Sequence, residues 1–514
     1  LRSFSICRLI RGYRSGYLPL ERREIEKDLR DGKTTLVVAT NALELGIDIG
    51  NLDCSILVGY PGSVAATIQQ SGRAGRRQGT ALAIYLATNS PLDQFLMAHP
   101  EFIFEKSPET ALIDPDNLLI LLQHLKCAAF ELPFSKGEPF GGVNIELLYG
   151  LMEYLLAEGV LHLVNERYFW SSNQYPANQI SLRSASGDTI RLEADLNGQN
   201  QLVGILDSAS AMWMVHPEAV YVHEGQTFWV KELDLERGRA IMIPHNDDYY
   251  TEAQSEINVE IINVQGESRF ATGNKYFGET VITSKVVGFQ QIQWFTQERL
   301  GQKSLDMPST QLRTTAFWFT INQSAVDIIR DMGLWKDDPI NYGPDWDRQR
   351  LRARQRDGFV CQLCGAQEGS VAHHVHHKTP FRQFSSHQAA NALDNLVTLC
   401  PSCHRKAETS VRMRSGLSGL GYLLNHLAPL FLMCDSSDLG IVSEAQAPFA
   451  GNQPAVLLFD RTPGGIGLDR ALFQLYDRLL TNALDLVGQC SCADGCPACI
   501  GPAGENGFGG KKET

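Results

Sequence analysis

Eight of the twelve cysteines in this 514-residue chain stand in two tight groups, which restrict its folding more than any other feature. The groups are Cys361, Cys364, Cys400 and Cys403, and Cys490, Cys492, Cys496 and Cys499. Four thiolates at such spacing can satisfy one tetrahedral Zn²⁺ and leave no coordination position open, so each group predicts a structural zinc site. The first residues do not follow the secretory pattern, so the paired cysteines indicate zinc in a reducing cytoplasm rather than disulfides. For the second group, an iron–sulfur cluster is the alternative.

The segment HHVHH (373–377), which lies between the two CxxC pairs of the first group, has four histidines in five positions. Because four sulfurs already fill one metal shell, these imidazoles and that of His404 are available for another task. On a strand, His376 and His377 point to opposite faces unless the backbone bends, so one can hold a metal while the other reaches a water. His404 directly follows a zinc cysteine and can complete the ligand set. The cluster predicts metal-assisted phosphodiester hydrolysis.

The first hundred residues alternate between two patterns. Short β-branched runs at 33–40, 55–61 and 81–87 alternate with helical stretches at 20–30 and 64–77, which predicts a parallel α/β sheet. On a helix over 64–77, Gln69, Arg73 and Arg76 project from one face, and two guanidiniums aimed together suit a γ-phosphate transition state. The alternative is an exposed basic helix. The chain has no GxxxxGK[ST] loop, so we expect no ATP hydrolysis by this chain alone.

Three segments, YRSGYLPLERREIE (13–26), ATNALELGIDIG (39–50) and QQSGRAGR (69–76), resemble in order and spacing the signatures of the second RecA-like domain of superfamily 2 helicases. The resemblance implies that Thr40 and Asn41 contact nucleic acid and that Asp48 couples this contact to the nucleotide. It places ATP against Gln69, Gly72, Arg73, Arg76 and Asp48, with both arginines as catalytic fingers, and the Mg²⁺ of ATP in the first RecA-like domain. The first RecA-like domain is then expected upstream of residue 1.

The middle of the chain predicts two further domains. Apolar residues at helical period in 118–134 and 145–170, followed by two short strands, predict a winged helix over 106–175, with a plain helical packing domain as the alternative. Alternation at period two over 176–300 predicts a small β-barrel or curled sheet. The segments LRTTAFWFTI (312–321) and LLFDRTPGGIGL (457–468) resemble helicases of the mitomycin-repair (YprA-like) type. That resemblance implies a C-terminal zinc-binding domain over 301–344 and 411–514.

The pattern CxxC…HVHHKTP…NLVTLCPSCH is similar to HNH endonucleases with a zinc ribbon, which have the ββα-metal fold, and implies such a finger inserted at 345–410. The resemblance makes His377 the general base, His376 and His404 metal ligands, and Asn395 the residue that fixes the loop carrying the base. Glu408 stands where many members have another histidine, and a carboxylate can ligate Mg²⁺ or Mn²⁺. The catalytic ion is expected to be Mg²⁺, Mn²⁺ or Zn²⁺. A purely structural zinc knuckle is the alternative.

The arginine-rich segment DRQRLRARQRDG (347–358) predicts a basic helix that meets phosphate, or a solvated linker helix. The net charge of −13 excludes a globally basic nucleic-acid binder but allows a local basic groove. No apolar run approaches the ~18 residues of a membrane span.

The overall expectation is a multidomain α/β plus α+β protein: a cytoplasmic, ATP-dependent DNA helicase fragment with the RecA-like domain at 1–105. It would carry an HNH nuclease, act on single-stranded or forked DNA, and serve repair or defence against foreign DNA. The alternatives are a helicase whose insert is a DNA-binding zinc knuckle, and a non-catalytic nucleic-acid scaffold.

Overall fold

The computed structural model describes residues 10–13, 19–44, 52–75, 80–105, 114, 117–180, 189–196, 199–223, 226–246, 248–296, 298–332, 342–369, 372–378, 386–401, 403–404, 416–432, 434–493, 495–501 and 510–514. Three of the predicted site residues, Asp48, Arg76 and Glu408, lie outside these described ranges. None of the described helices is long and apolar enough to cross a membrane.

The N-terminal part alternates strands and helices, as predicted. Its elements are β1 (Ile10–Tyr13), α1 (Pro19–Arg30), β2 (Leu36–Ala39), β3 (Cys54–Val58), α2 (Val64–Ser71), β4 (Leu82–Leu86), α3 (Pro91–Ala98) and α4 (Glu101–Phe104). Strand β1 pairs with β2, and β3 with β4, both in parallel. Parallel pairing confirms the α/β prediction. Helix α2 is shorter than predicted, because the chain leaves the helix at Gly72.

The next part is a winged helix, which confirms the prediction. It consists of α5 (Leu118–Glu131), β5 (Phe134–Ser135), α6 (Ile145–Ala157), β6 (Leu161–Val164) and β7 (Arg167–Trp170). Strands β6 and β7 form an antiparallel hairpin. Its two turn residues, Asn165 and Glu166, both have positive φ, which matches the right-handed twist of a tight hairpin. Leu125, Leu155 and Tyr168 fill a core between the two helices and the hairpin.

A five-stranded sheet follows, which confirms the curled sheet predicted for the β-rich part. Its elements are β8 (Thr189–Leu196), β9 (Gln199–Asp207), α7 (Ser208–Met214), β10 (Val220–His223), β11 (Gln226–Asp234) and β12 (Arg239–Pro244). The strand order is β10-β11-β12-β8-β9. The two outer strands approach each other, because a Cβ built on Gly204 of β9 would lie 3.1 Å from the His223 ring of β10. The sheet therefore curls towards a barrel.

A six-stranded sheet dominates the C-terminal half. It contains β13 (Tyr249–Phe270), β14 (Gly273–Gln293), β15 (Arg299–Ser304), β16 (Thr310–Ile321), β19 (Leu439–Ala447) and β20 (Gln453–Asp460). Strands β13 and β14 form one long antiparallel hairpin with bulges at Gln254/Ser255, Ile261/Asn263 and Val264/Gly266. The predicted domain boundary at residue 300 falls within β15, so this sheet extends across that position.

Helices cover this sheet, and a small module lies between its strands in the sequence. The covering helices are α11 (Gly416–Leu427) and α12 (Leu468–Gln489), and α8 (Gln323–Asp331) follows β16 in the chain. The module between α8 and α11 contains α9 (Trp346–Arg356), β17 (His374–His377), α10 (His387–Ala390) and β18 (Leu396–Leu399). Strands β17 and β18 are antiparallel, with His377 opposite Leu396. The core of the module is small and centres on Ala353, Val375 and Leu396.

The N-terminal part and the C-terminal sheet share one hydrophobic core. Phe95 and Leu96 of α3 are each 2% exposed and are buried with Leu424 of α11 and Leu472 of α12. Phe102 of α4 meets Phe431 edge to face at 5.9 Å between ring centroids. Since this core is apolar and continuous, the two parts pack as one body.

Asn117 joins the winged helix to the loop that precedes α12. Its Oδ1 accepts hydrogen bonds from the amides of Leu119 and Ile120, which caps α5. Its Nδ2 donates to the carbonyl oxygens of Pro463 and Gly465 at 3.2 and 2.8 Å. One side chain, 4% exposed, thus fixes both a helix start and an interdomain contact.

The Asn117→Ala substitution is expected to destabilise the chain by about 3 kcal/mol, since a cap and two partly buried hydrogen bonds are lost together. Asn144→Ala is the matched control, because Asn144 also caps a helix, through Glu146, but is exposed. Its cost should be about 1 kcal/mol. Hydrogen exchange should show faster exchange at both 118–131 and 460–470 in Asn117→Ala, and only at 145–157 in the control. Equal, purely local effects would contradict the interdomain role.

Candidate metal centres and nuclease site

The first cysteine quartet is assembled from two turns at the ends of the small module. Cys361 and Cys364 lie in a turn closed by the amide of Gly365, which donates to the Cys361 carbonyl at 2.8 Å. Cys400 and Cys403 follow β18 where the chain turns into a helix. All four sulfurs lie within 4.8 Å of one another, and Cys364 Sγ is 3.8 Å from Cys400 Sγ. Zn–S bonds of about 2.3 Å at tetrahedral angles place two sulfurs about 3.8 Å apart, so the quartet fits one Zn²⁺.

The second quartet closes the C-terminal end of α12. Neighbouring sulfurs of Cys490, Cys492, Cys496 and Cys499 are 3.4 to 3.7 Å apart. Lys511 Nζ donates to the carbonyl oxygens of Cys490 and Cys492. Because all four sulfurs converge within 4.8 Å, the quartet fits a single ion better than a multinuclear iron–sulfur cluster, whose thiolates are spread over several irons.

Three histidines of the small module face one another. His374 and His376 are two apart on β17 and so share one face of the hairpin, and His404 packs against that face. The His404 ring centroid is 4.7 Å from that of His374 and 5.5 Å from that of His376. The Nδ1 atoms of His374 and His404 are 3.2 Å apart. Burial, and next the charge of His374, lowers the pKa of His404 to about 4, so this imidazole is neutral and can donate a lone pair.

His377 lies on the opposite face of β17 and is 7% exposed. Its ring packs beside Tyr342 and Trp346, at centroid distances of 5.2 and 5.0 Å, and these two rings stack on each other at 4.5 Å. Its Nε2 lies 2.9 Å from Asn391 Oδ1, while Asn391 Nδ2 donates to the Tyr342 carbonyl at 2.7 Å. The Asn391 oxygen can only accept, so the His377 proton is on Nε2 and the lone pair is on Nδ1. Burial lowers the pKa of His377, against the opposing effect of the Asn391 hydrogen bond.

The sequence interpretation missed Tyr342, Trp346 and Asn391. The two aromatic residues lie more than 30 positions before His377, and no spacing rule connects them to it. Asn391 is four residues from the predicted Asn395 and could have been found only as a second asparagine in the same NALDN segment.

Asn395 makes the contacts expected of a residue that fixes a loop. Its Nδ2 donates to the Ala390 carbonyl at 2.9 Å. The backbone carbonyl of Asn395 accepts a hydrogen bond at 2.7 Å from the amide of Lys378, the residue that directly follows His377. These bonds tie the start of β18 to the end of β17, and its contribution to catalysis stays a prediction.

The described residues bring only part of the predicted HNH metal site together. His376 and His404 face each other, whereas Glu408 lies outside the described ranges. Within those ranges, the two cysteine quartets are the sets of three or more donors whose ligand atoms lie within 4.8 Å of one another. Two imidazoles on one face nevertheless fit a divalent transition-metal ion.

The arginine-rich helix α9 belongs to the module itself. Arg354 pairs with Glu368, and Arg356 donates to the carbonyl oxygen of Leu396 at 2.8 Å. Both arginines therefore hold loops of the module in place. Three others, Arg348, Arg350 and Arg352, are exposed, so these are the arginines that could meet phosphate.

The predicted nucleotide side of the N-terminal part is corrected in one respect. Gln69 and Arg73 do not share a helix face, because α2 ends at Ser71 and Gly75 has φ +85°. Arg73 instead turns back and donates to the Glu44 carbonyl oxygen. Gln70 Nε2 donates to the Glu44 carboxylate at 3.1 Å, so the two predicted helicase segments are in contact.

The other described residues of the predicted motor site are at the surface. Thr40 and Asn41 follow β2, at the carboxyl end of a parallel strand, and are exposed. Gln69 and Gly72 are exposed as well. The side chains of Thr40, Asn41 and Gln69 and the backbone of Gly72 are therefore accessible to a ligand.

Four family models match segments of the chain. They are the helicase conserved C-terminal domain (10–78), the winged helix domain of ATP-dependent helicase HRQ1 (113–185), HNH endonuclease (361–410) and the MrfA Zn-binding domain (420–500). Each coincides with a part of the fold described above.

Relatives match along almost the whole chain. The uncharacterized ATP-dependent helicase YprA of Bacillus subtilis is 35% identical over 96% of this chain and 55% of its own length. ATP-dependent helicase HRQ1 of Saccharomyces cerevisiae is 26% identical over 96% of this chain and 40% of its own length. The crystal structure of the DUF1998 helicase MrfA bound to DNA matches with a TM-score of 0.56 at 34% identity, covering 98% of this chain and 56% of MrfA. The chain thus spans about half the length of these relatives.

Together, these matches define the class of the protein. The chain carries the C-terminal motor domain, the winged helix and the zinc-binding domain of a superfamily 2 helicase. Within that class, it corresponds to the C-terminal part of a helicase of the YprA and MrfA type, with an HNH-family segment between strands of its C-terminal sheet.

Each quartet is expected to bind one zinc ion, so purified protein should contain about two zinc ions per chain. Cys403→Ser and Cys499→Ser should each lower the content to about one, because serine is a poor zinc ligand. Elemental analysis provides the measurement, and Cys54→Ser, at an exposed cysteine outside both quartets, is the matched control. If the protein instead contains iron with a visible absorption band, and only Cys499→Ser loses that band, zinc at the second quartet is refuted.

Proposed function

We propose that this chain is part of an ATP-dependent DNA helicase or translocase that carries a metal-dependent HNH endonuclease and acts in DNA repair or defence against foreign DNA. One observation carries the proposal. A ββ hairpin closed by the first cysteine quartet brings His376 and His404 together on one face, and on the other face it holds His377 against Asn391 in one tautomer.

The motor function rests on the resemblance of its segments and on its relatives. The Arg73 guanidinium donates to the Glu44 carbonyl oxygen, which holds the arginine in place. We assign Arg73 to ATP binding, together with Gln69, Gly72, Arg76 and Asp48. Thr40 and Asn41 are assigned to the DNA strand. The related MrfA has been crystallised with DNA and with DNA and AMPPNP, which supports both ligands for this chain. Mg²⁺ would accompany ATP in the cleft completed by the other RecA-like domain.

Strand cleavage would use the two faces of β17 for two tasks. His377 Nδ1 accepts a proton from the attacking water, and the fixed Nε2–H to Asn391 keeps that nitrogen available as a base. The new P–O bond forms as the bond to the leaving oxygen breaks, and that oxygen takes a proton from solvent. A divalent ion held by His376 and His404 would stabilise the charge on the phosphate and the leaving oxygen.

The shared core connects the two activities. The zinc-binding domain that carries the HNH module is packed against α3 and α4 of the motor domain. DNA moved by the motor would therefore pass a nuclease held at a fixed position on the same body. Thiolates that hold zinc require a reducing compartment, so we assign the protein to the cytoplasm.

The second candidate function is a helicase whose insert only binds DNA. The burial of His377 beside Tyr342 and Trp346 favours it, because a base needs access to water. In that case the exposed arginines of α9 would be the functional surface and the histidines would be structural.

Nicking of supercoiled plasmid with Mn²⁺ or Mg²⁺ distinguishes the two candidates. His377→Ala is expected to lower the nicking rate at least about 100-fold, as for loss of a general base. Asn391→Ala should lower it less, because the imidazole remains but its tautomer is no longer fixed. His387→Ala, at an exposed histidine of the same module, should leave the rate unchanged. Nicking by His377→Ala at the wild-type rate would overturn the nuclease proposal and favour the DNA-binding knuckle.

A further inference from the structure

The face of β17 that carries His376 has a second imidazole, that of His374, which neither the HNH resemblance nor the predicted ligand set includes. His374 and His376 are separated by two positions on a regular strand whose register to β18 is uninterrupted, so both side chains leave on the same side. His374 is exposed, whereas Val375 between them is 6% exposed and points into the module core. Solvent and ions can therefore reach His374.

The spacing of the two nearest nitrogens is that of two ligands of one ion. Metal–imidazole bonds of about 2.0–2.1 Å at tetrahedral angles place two nitrogens about 3.4 Å apart, and octahedral angles place them about 2.9 Å apart. His374 Nδ1 and His404 Nδ1 are 3.2 Å apart, between these values. Their rings are inclined at 67°, so the nitrogens converge edge to edge instead of stacking.

We propose that His374 is a ligand of the HNH metal, and that the ion is held by three imidazoles, those of His374, His376 and His404. His376 completes the set by a side-chain rotation, since its ring is already 5.5 Å from that of His404 and nearly perpendicular to it. This inference rests on the proposed nuclease function and assigns its metal site. It supplies the third protein ligand from β17 itself, so the site does not depend on Glu408.

The ligand set determines the class of metal. A set of three imidazole nitrogens suits Mn²⁺, Co²⁺, Ni²⁺ or Zn²⁺, whereas Mg²⁺ strongly prefers oxygen ligands. Three protein ligands also leave coordination positions for a phosphate oxygen and water, which a closed four-cysteine site does not. The two kinds of metal site in the module therefore differ in role: the thiolates hold structure and the imidazoles hold the reacting ion.

Calorimetric titration of the zinc-loaded chain with Mn²⁺ and with Co²⁺ tests the proposal without an activity assay. His374→Ala, His376→Ala and His404→Ala are each expected to weaken binding at least about tenfold. In the Co²⁺ form, the number of paramagnetically shifted imidazole N–H resonances in the proton NMR spectrum should fall from three to two in His374→Ala. His387→Ala should change neither measurement. Retention of two zinc ions in each variant shows that the module is folded.

A carboxylate at the same position provides a second test. His374→Asp should keep a metal site but shift its preference towards Mg²⁺, because a hard oxygen replaces a nitrogen. Unchanged affinity and three remaining resonances in His374→Ala, with losses in His376→Ala and His404→Ala, would overturn the role of His374 while leaving the nuclease proposal intact. Unchanged affinity in all three alanine variants would overturn the three-histidine site. Whether the chain is a nuclease at all is tested separately, by comparing His377→Ala with the wild type in the plasmid assay.

Discussion

Convergence of four thiolates on one ion is the interaction on which the HNH module depends. Among the described residues of the module, one small apolar cluster contains Ala353, Val375 and Leu396, and a second surrounds the cysteine quartet at Leu399. Apolar cores of this size rarely stabilise a domain without a metal or disulfide. The quartet at Cys361 and Cys400 ties the turn after α9 to the end of β18, so it closes the module around the hairpin. The histidine faces of β17 are defined only once that hairpin is held. Zinc thus contributes to function indirectly, by fixing the strand that presents the imidazoles.

Contacts around α12 join the larger parts of the chain. One apolar core joins α3 of the motor domain to α11 and α12, and one buried asparagine joins the winged helix to the loop before α12. The second cysteine quartet lies at the C-terminal end of α12. Helix α12 is therefore in contact, directly or through its ends, with three functional parts of the chain. These contacts hold the three parts in fixed positions relative to α12.

Local patterns in the sequence predicted what is locally encoded. Thiol spacing predicted both quartets, and strand alternation predicted that His376 and His377 part to opposite faces, because both depend on neighbouring residues. The helix over 64–77 was wrong beyond Ser71, since Gly72 ends it and Ala74 pairs with Leu52, a contact that periodicity does not contain. Tyr342, Trp346 and Asn391 around His377 come from separate elements, so only the assembled fold reveals them. Likewise, the pairing of β14 with β16 carries one sheet across a boundary that the period-two alternation had placed at residue 300.

The hairpin of β13 and β14 also has a mechanical consequence. Its 22-residue strand β13 is about 70 Å long at the rise of an extended chain. One end packs against β10 and α7 of the curled sheet, and at the other end Phe270 rests on Tyr476 of α12. The three bulges between Gln254 and Gly266 interrupt its ladder, whereas β14 keeps an unbroken register with β16 from Gly273 to Ser284. The hairpin is thus a strut, anchored in the C-terminal sheet, that spans the distance from the curled sheet to α12.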